Sequence, residues 1–189
     1  REEAKEILKD YEYGPLFTPP IVAGDKKGTI IMAGPAGGAN WGGAAFDPDT
    51  NILYVPSMTL PFWLSVAPAD KNRSNFDYTV GAAGVAMGPR GLPLTKPPYS
   101  RVTAIDLNTN KGEFVWQVPH GNGPTDHPEL KDLDLGPLGS AANGLLSNGG
   151  GVLTKTLFFA IQADEITASM MRMGDKGYIR AWDKTNGDL

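Results

Sequence analysis

The segment Gly34-Pro35-Ala36-Gly37-Gly38-Ala39-Asn40-Trp41-Gly42-Gly43 sets one amide and one indole among small residues. Glycines let a backbone approach a flat or crowded partner closely. Asn40 supplies a donor and an acceptor, and Trp41 a broad apolar face. These are tools for holding a planar, polar ligand, not for breaking bonds. The plainer reading, a Gly-rich loop entering a sheet with Trp41 in the core, stays open at this point. The spacing does not match Gly-x-Gly-x-x-Gly, which argues against a dinucleotide loop.

Other reactive residue types are sparse. His120 and His127 are the only histidines, both in a Pro- and Asp-rich stretch. Their spacing is a weak metal signature, and they are expected to be solvated loop residues. Ser57, Ser65 and Ser140 have no evident base, and neither Gly-x-Ser-x-Gly nor His-Glu-x-x-His occurs. With no cysteine, disulfides, thiolate metal sites and Cys nucleophiles are excluded. No catalytic residue and no metal ligand is therefore assigned within the chain. A net charge of -4 and a pI near 5.1 speak against a nucleic-acid surface. No run is long and apolar enough to span a bilayer as a helix.

The elements that must position the Asn-Trp segment are mostly short strands. Residues 1–11 carry helix formers, with Ala4, Ile7, Leu8 and Tyr11 on one stripe. Gly14-Pro15 and Pro19-Pro20 end that pattern. Strands are then expected near 29–32, 44–46, 52–57, 101–106, 113–118, 151–154, 156–161 and 178–183. The 24 Gly and 16 Pro residues fit the turns this requires. Two segments, 58–99 and 119–149, are too long for plain turns, and their aromatics predict ordered, packed loops.

An internal repeat orders these strands. Ala104-x-Asp106, a polar turn with Gly112, and Trp116 recur as Ala181-x-Asp183 and a turn with Gly187. The second copy stops before a Trp, so the chain reads as a piece of a larger one. Four strands form a blade at 41–118, and three form an incomplete blade at 150–189. The strand at 29–32 would be the outer strand of a preceding blade. The fold class expected is all-β, a partial β-propeller of about two four-stranded blades over 1–189, with a short N-terminal helix at 1–11. Trp116 and Trp182 should pack between neighbouring blades.

On these residues the chain resembles the quinoproteins, dehydrogenases that use pyrroloquinoline quinone (PQQ), and in particular their glucose-dehydrogenase-like branch. The Ala-x-Asp turn with its closing Trp is similar to that family's tryptophan-docking motif. Gly37 to Pro48, Ile52 to Ser57, Tyr13 to Pro20, Lys96 to Leu107 and Val152 to Phe159 follow its pattern in order. Asn110, Lys111 and Asn186 depart from it, and the 60–95 segment has no counterpart in it. The resemblance implies an eight-bladed propeller with PQQ on its axis and Ca2+ as Lewis acid. It implies that the catalytic Asp and the Ca2+ ligands lie in blades preceding residue 1. Asn40 is the position that matches a cofactor-contacting Asn, with Trp41 beside it either in the cofactor pocket or in the core. It further implies a sugar or alcohol substrate, a quinone or cytochrome electron acceptor, contact with the remaining blades, and a periplasmic parent that is either soluble or anchored to the inner membrane. A non-catalytic propeller scaffold of the same repeat family is the alternative function.

Overall fold

The computed structural model describes residues 1–32, 37–39, 43–140, 151–163 and 177–189. Their regular elements are mostly strands, with one short α-helix, as the sequence predicts. The chain divides into two units: residues 1–35 with 60–96, and residues 36–59 with 97–189.

The second unit carries the repeat. Strands β3 (Ala45–Asp47), β4 (Ile52–Met58), β7 (Ser100–Asp106) and β8 (Glu113–Pro119) form an antiparallel sheet in that order. Strands β9 (Val152–Leu153), β10 (Leu157–Ala163) and β11 (Gly177–Asp183) form a second, three-stranded antiparallel sheet. The repeated Asp explains why these strands turn where they do. Asp106 Oδ1 accepts the Asn108 N–H at 2.7 Å, and Asp183 Oδ1 accepts the Thr185 N–H at 2.7 Å. Each carboxylate thus closes an Asx turn two residues on. Gly112 (φ 63°) and Gly187 (φ 79°) then take left-handed conformations that L side chains rarely adopt. Asp47 does the same at the β3–β4 turn, where Asn51 (φ 56°) is the left-handed residue. The core lies between the two sheets. Tyr54, Val102, Ala104 and Trp116 from one meet Phe158, Ala160 and Trp182 from the other. Tyr54 stacks on Phe158 with ring centroids 5.5 Å apart, and Phe158 lies 5.8 Å from Trp182. Trp116 and Trp182 are therefore inter-sheet residues.

The first unit differs more from expectation. Helix α1 spans Glu2–Leu8, shorter than 1–11, and Tyr11 continues beyond it as a buried residue whose ring lies 6.2 Å from Trp63. The 58–99 segment is not an irregular loop. It contains strands β5 (Phe62–Pro68) and β6 (Tyr78–Val85), joined in an antiparallel hairpin. Strand β5 also pairs with β1 (Ile21–Val22) in parallel and with β2 (Thr29–Ile31) in antiparallel register. The strand expected at 29–32 is thus bonded to a strand from inside the segment read as a loop. Small residues permit this packing. A Cβ on Gly84 would come within 2.8 Å of the Trp63 indole nitrogen.

Candidate functional site

Both ends of the first sheet carry polar structure, and they differ in kind. At one end β4 finishes at Met58, β7 starts at Ser100 and β8 finishes at Pro119. Gly38 of the Gly-rich segment is tied to this same end, because the Met58 N–H donates to its carbonyl at 2.8 Å. Gly37 (φ 78°) and Gly43 (φ 90°) both take left-handed conformations, and no atom of the described residues lies within 4 Å of where a Gly37 Cβ would stand. Asn40 and Trp41 themselves lie outside the described residues.

The tether continues sideways. The Thr59 N–H donates to Tyr99 O at 2.8 Å, Tyr99 N–H to Leu138 O at 2.9 Å, and Leu138 N–H to Asn122 O at 2.8 Å. Asn122 Oδ1 in turn accepts from Arg180 on β11 at 3.3 Å. Residues 120–123 and 138–140 so form a clasp over the start of β7. Gly139 is required there, since a Cβ would stand 2.2 Å from the Ser100 carbonyl oxygen.

His120 corrects an expectation. It is 2% exposed rather than solvated, with its ring edge-on to Trp182 at 5.1 Å. Its backbone explains the burial. The N–H donates to Ser100 O at 2.9 Å, and the carbonyl accepts from the Ser100 hydroxyl at 2.7 Å and from the Ser140 N–H at 2.8 Å. Burial, assisted by the nearby Arg180 charge, pushes the imidazole down to about 4, so it is neutral at pH 7. His127 is half-buried in a separate turn, where Nδ1 accepts the Glu129 N–H at 3.2 Å. Among the described residues no three His, Asp or Glu side chains gather where they could hold a metal ion.

The opposite end is a structural lock. The Lys184 ammonium pairs with Asp47 across the two sheets and donates to the Thr154 and Lys155 carbonyls at 3.2 Å each. The Lys184 carbonyl accepts from the Trp116 indole at 3.0 Å and from the Tyr54 hydroxyl at 3.2 Å. Trp116 also lies on Gly187, where a Cβ would come within 2.9 Å of the ring. The Lys184 hydrogen bond holds the Asp47 carboxyl below the usual carboxylate range. Burial, with the Asp47 and Asp183 charges, pushes Tyr54 up to about 12. Sequence reasoning missed Lys184. Its one signal is its place directly after the repeated Asp.

Comparison with known proteins places this arrangement. The family described as the PQQ β-propeller domain of glucose/ethanol/alcohol dehydrogenases matches residues 1–189. Quinoprotein glucose dehydrogenase A of Acinetobacter calcoaceticus is 28% identical over 95% of this chain, covering 22% of its own length. Quinate/shikimate dehydrogenase (quinone) of Acinetobacter baylyi is 29% identical over 95% of the chain, again covering 22% of its length. Quinoprotein glucose dehydrogenase of Gluconobacter oxydans is 31% identical over 92%, covering 22% of that protein. The chain thus spans about a fifth of the length of these relatives. Because the family match runs from the first residue to the last, across both units, the chain belongs to the PQQ-dependent dehydrogenase β-propeller family.

Proposed function

We propose that this chain forms one side of the cofactor pocket in a PQQ-dependent dehydrogenase that oxidises a hydroxyl of a sugar, a polyol or a cyclic hydroxy acid. The observation that supports this is the Gly38–Met58 hydrogen bond, which holds Gly38 at the loop-bearing end of its blade. Left-handed Gly37 and Gly43, and the absence of any described atom within 4 Å of a Gly37 Cβ, support a planar ligand there. In this reading the Asn40 amide hydrogen-bonds a polar oxygen of PQQ, and Trp41 presents its face to the pocket. Bound PQQ would supply the two-electron acceptor chemistry that protein side chains lack. Ca2+, a hard cation, would take oxygen ligands, expected from blades preceding residue 1. The Trp116–Lys184 lock serves as the family's tryptophan-docking contact between consecutive blades. Electrons would pass to a quinone or cytochrome, in a periplasmic parent protein.

Named relatives act on glucose, on quinate or shikimate, and on glycerol. The shared chemistry, oxidation at a hydroxyl-bearing carbon, is what we assign. The test is Asn40→Ala in the full-length parent. Losing a hydrogen bond to a charged or strongly polar group should weaken PQQ binding about ten- to a hundredfold, read by titrating the apoprotein. Unchanged affinity, with the fold intact by circular dichroism, would remove Asn40 from the pocket.

A further inference from the structure

We infer that strand β6 is a self-association edge, through which two copies of the protein join their sheets by antiparallel β6–β6 pairing. β6 (Tyr78–Val85) pairs with β5 over its full span and has no other strand neighbour among the described residues. The ladder fixes which backbone groups face outward. Asp77 O accepts the Ala69 N–H at 2.9 Å. The Ala82 N–H donates to the Ser65 hydroxyl at 3.1 Å, and the Ala82 carbonyl accepts from it at 3.3 Å. Asp77 and Ala82 therefore face β5. Backbone groups alternate in direction along an antiparallel strand, so the N–H and C=O of Tyr78, Val80 and Ala83 point to the open edge. Residues 78–83 are all exposed. Such a row of donors and acceptors is a template for another strand.

Proteins guard open edges with Lys, Pro or inward-pointing charges. β6 carries none of these; its sequence is Tyr-Thr-Val-Gly-Ala-Ala-Gly-Val. The register shift opposite Ser65 and Val66 leaves Gly81 as the extra residue, with no side chain to obstruct a neighbour. An apolar face adjoins the edge. Val22, Val66 and Val80 stand directly opposite one another on β1, β5 and β6, and Tyr78 shares that face two residues from Val80. Val22 is 47% exposed, Tyr78 53% and Val80 67%, so this face meets solvent and not a core.

Charge selects the occupant. A two-fold contact sets identical residues near one another, so a charged edge repels its own copy. The edge strands β8 and β11 carry such charges, Glu113 and Arg180. β6 is neutral throughout, so it accepts its own copy without repulsion and offers no counter-charge to a charged peptide. Antiparallel pairing about an axis normal to the sheet continues the four strands of one copy into the four of the other. It also lays the valine rows of both copies on one side of the joined sheet, where they form one apolar surface. One strand pair makes a small interface, so the association should be weak and concentration-dependent.

The experiment is sedimentation velocity of the full-length parent across the micromolar range, beside Val80→Lys, Val80→Thr and Ala83→Lys forms, with hydrogen exchange followed at residues 78–83. The wild type should pass from monomer to dimer as concentration rises, and the Tyr78, Val80 and Ala83 amides should gain protection over the same range. Val80→Lys should raise the dissociation constant at least about tenfold, through like charges near the axis and lost valine burial. Ala83→Lys should act in the same direction. Val80→Thr, neutral and β-branched, should dimerise close to wild type. A wild type that stays monomeric throughout would overturn the inference. So would a dimer that both lysine variants leave intact, since its contact would lie elsewhere. Protection of these amides at every concentration, or unfolding of both lysine variants, would show the edge covered within the parent's own fold and would overturn it too.

Discussion

Removing the Lys184 ammonium should be among the most damaging single changes in the second unit. The Lys184 side chain is 10% exposed and that of Asp47 is 5%, so the pair is shielded from water. Lys184→Met keeps the aliphatic stem but leaves the Asp47 carboxylate buried without its cation. Breaking a buried pair from one side costs about 3–5 kcal/mol, because the desolvated charge remains. Asp47 keeps hydrogen bonds from the Thr50 hydroxyl (2.8 Å) and the Asp49 N–H (3.2 Å), which places the cost near the lower end, about 3 kcal/mol. The double replacement Asp47→Leu with Lys184→Met removes both charges and should recover most of that loss. The sign with pH also follows. The folded Asp47 value lies below its unfolded one, so its contribution is present above about pH 4 and is lost as pH falls through the folded value. The gap between wild type and Lys184→Met should therefore narrow on acidification from pH 7 towards pH 3. Denaturant unfolding of the parent, followed by tryptophan fluorescence, reads both effects, since the Trp116 indole is bonded to the Lys184 carbonyl and Trp182 is buried between the same two sheets. A loss under about 1 kcal/mol, or a double variant no better than the single one, would refute the argument that this pair couples the sheets.

Trp116→Phe should cost about 1–3 kcal/mol in the same assay, since the indole N–H bond to Lys184 O goes while Tyr54 still serves that carbonyl. His120 is neutral when folded, with its value lowered to about 4, so the unfolded chain takes up a proton first as pH falls. The His120 contribution should fall by about 3 kcal/mol between pH 6.5 and pH 4 and level off below, and His120→Phe should flatten that part of the slope in a pH series of unfolding curves. Residues 1–189 alone should neither bind PQQ tightly nor oxidise glucose when PQQ and Ca2+ are supplied, because a propeller pocket is assembled from many blades. Turnover by the purified chain would show that catalytic groups lie within it.

The turns and hairpins of the second unit were legible because their chemistry is local. An Asp two residues before an N–H, and a Gly or Asn at a left-handed position, act over a few residues wherever they occur. Strands β5 and β6 were not legible. Phe62 to Ala67 is an apolar run broken only by Ser65 and bounded by Pro61 and Pro68, without alternation, and Tyr78 to Val85 is diluted by Gly81, Ala82, Ala83 and Gly84. Pairing between the two, not pattern within either, makes them strands. His120 failed for a related reason. Its Pro- and Asp-rich neighbourhood reads as solvated, whereas its burial comes from Ser100 and Trp182, 20 and 62 residues away in sequence. Lys184 looks like an ordinary strand-end cation until its partner across the sheets, Asp47, is known. Asn40 and Trp41 were singled out by composition, and their placement lies outside the described residues.

The Trp116 contact sets a schedule on the growing polypeptide. The carbonyl it needs belongs to Lys184, 68 residues further on. At about 5–20 residues per second, a ribosome delivers that partner roughly 3–14 s after Trp116 itself. Over that interval Tyr54, Val102, Ala104 and Trp116 form an apolar face whose cover, Phe158, Ala160 and Trp182, has yet to be made. Completion of one sheet therefore waits on the next, in one direction along the message. A nascent chain paused between these positions exposes a sticky surface of fixed composition, the kind that chaperones hold and that aggregates when they do not.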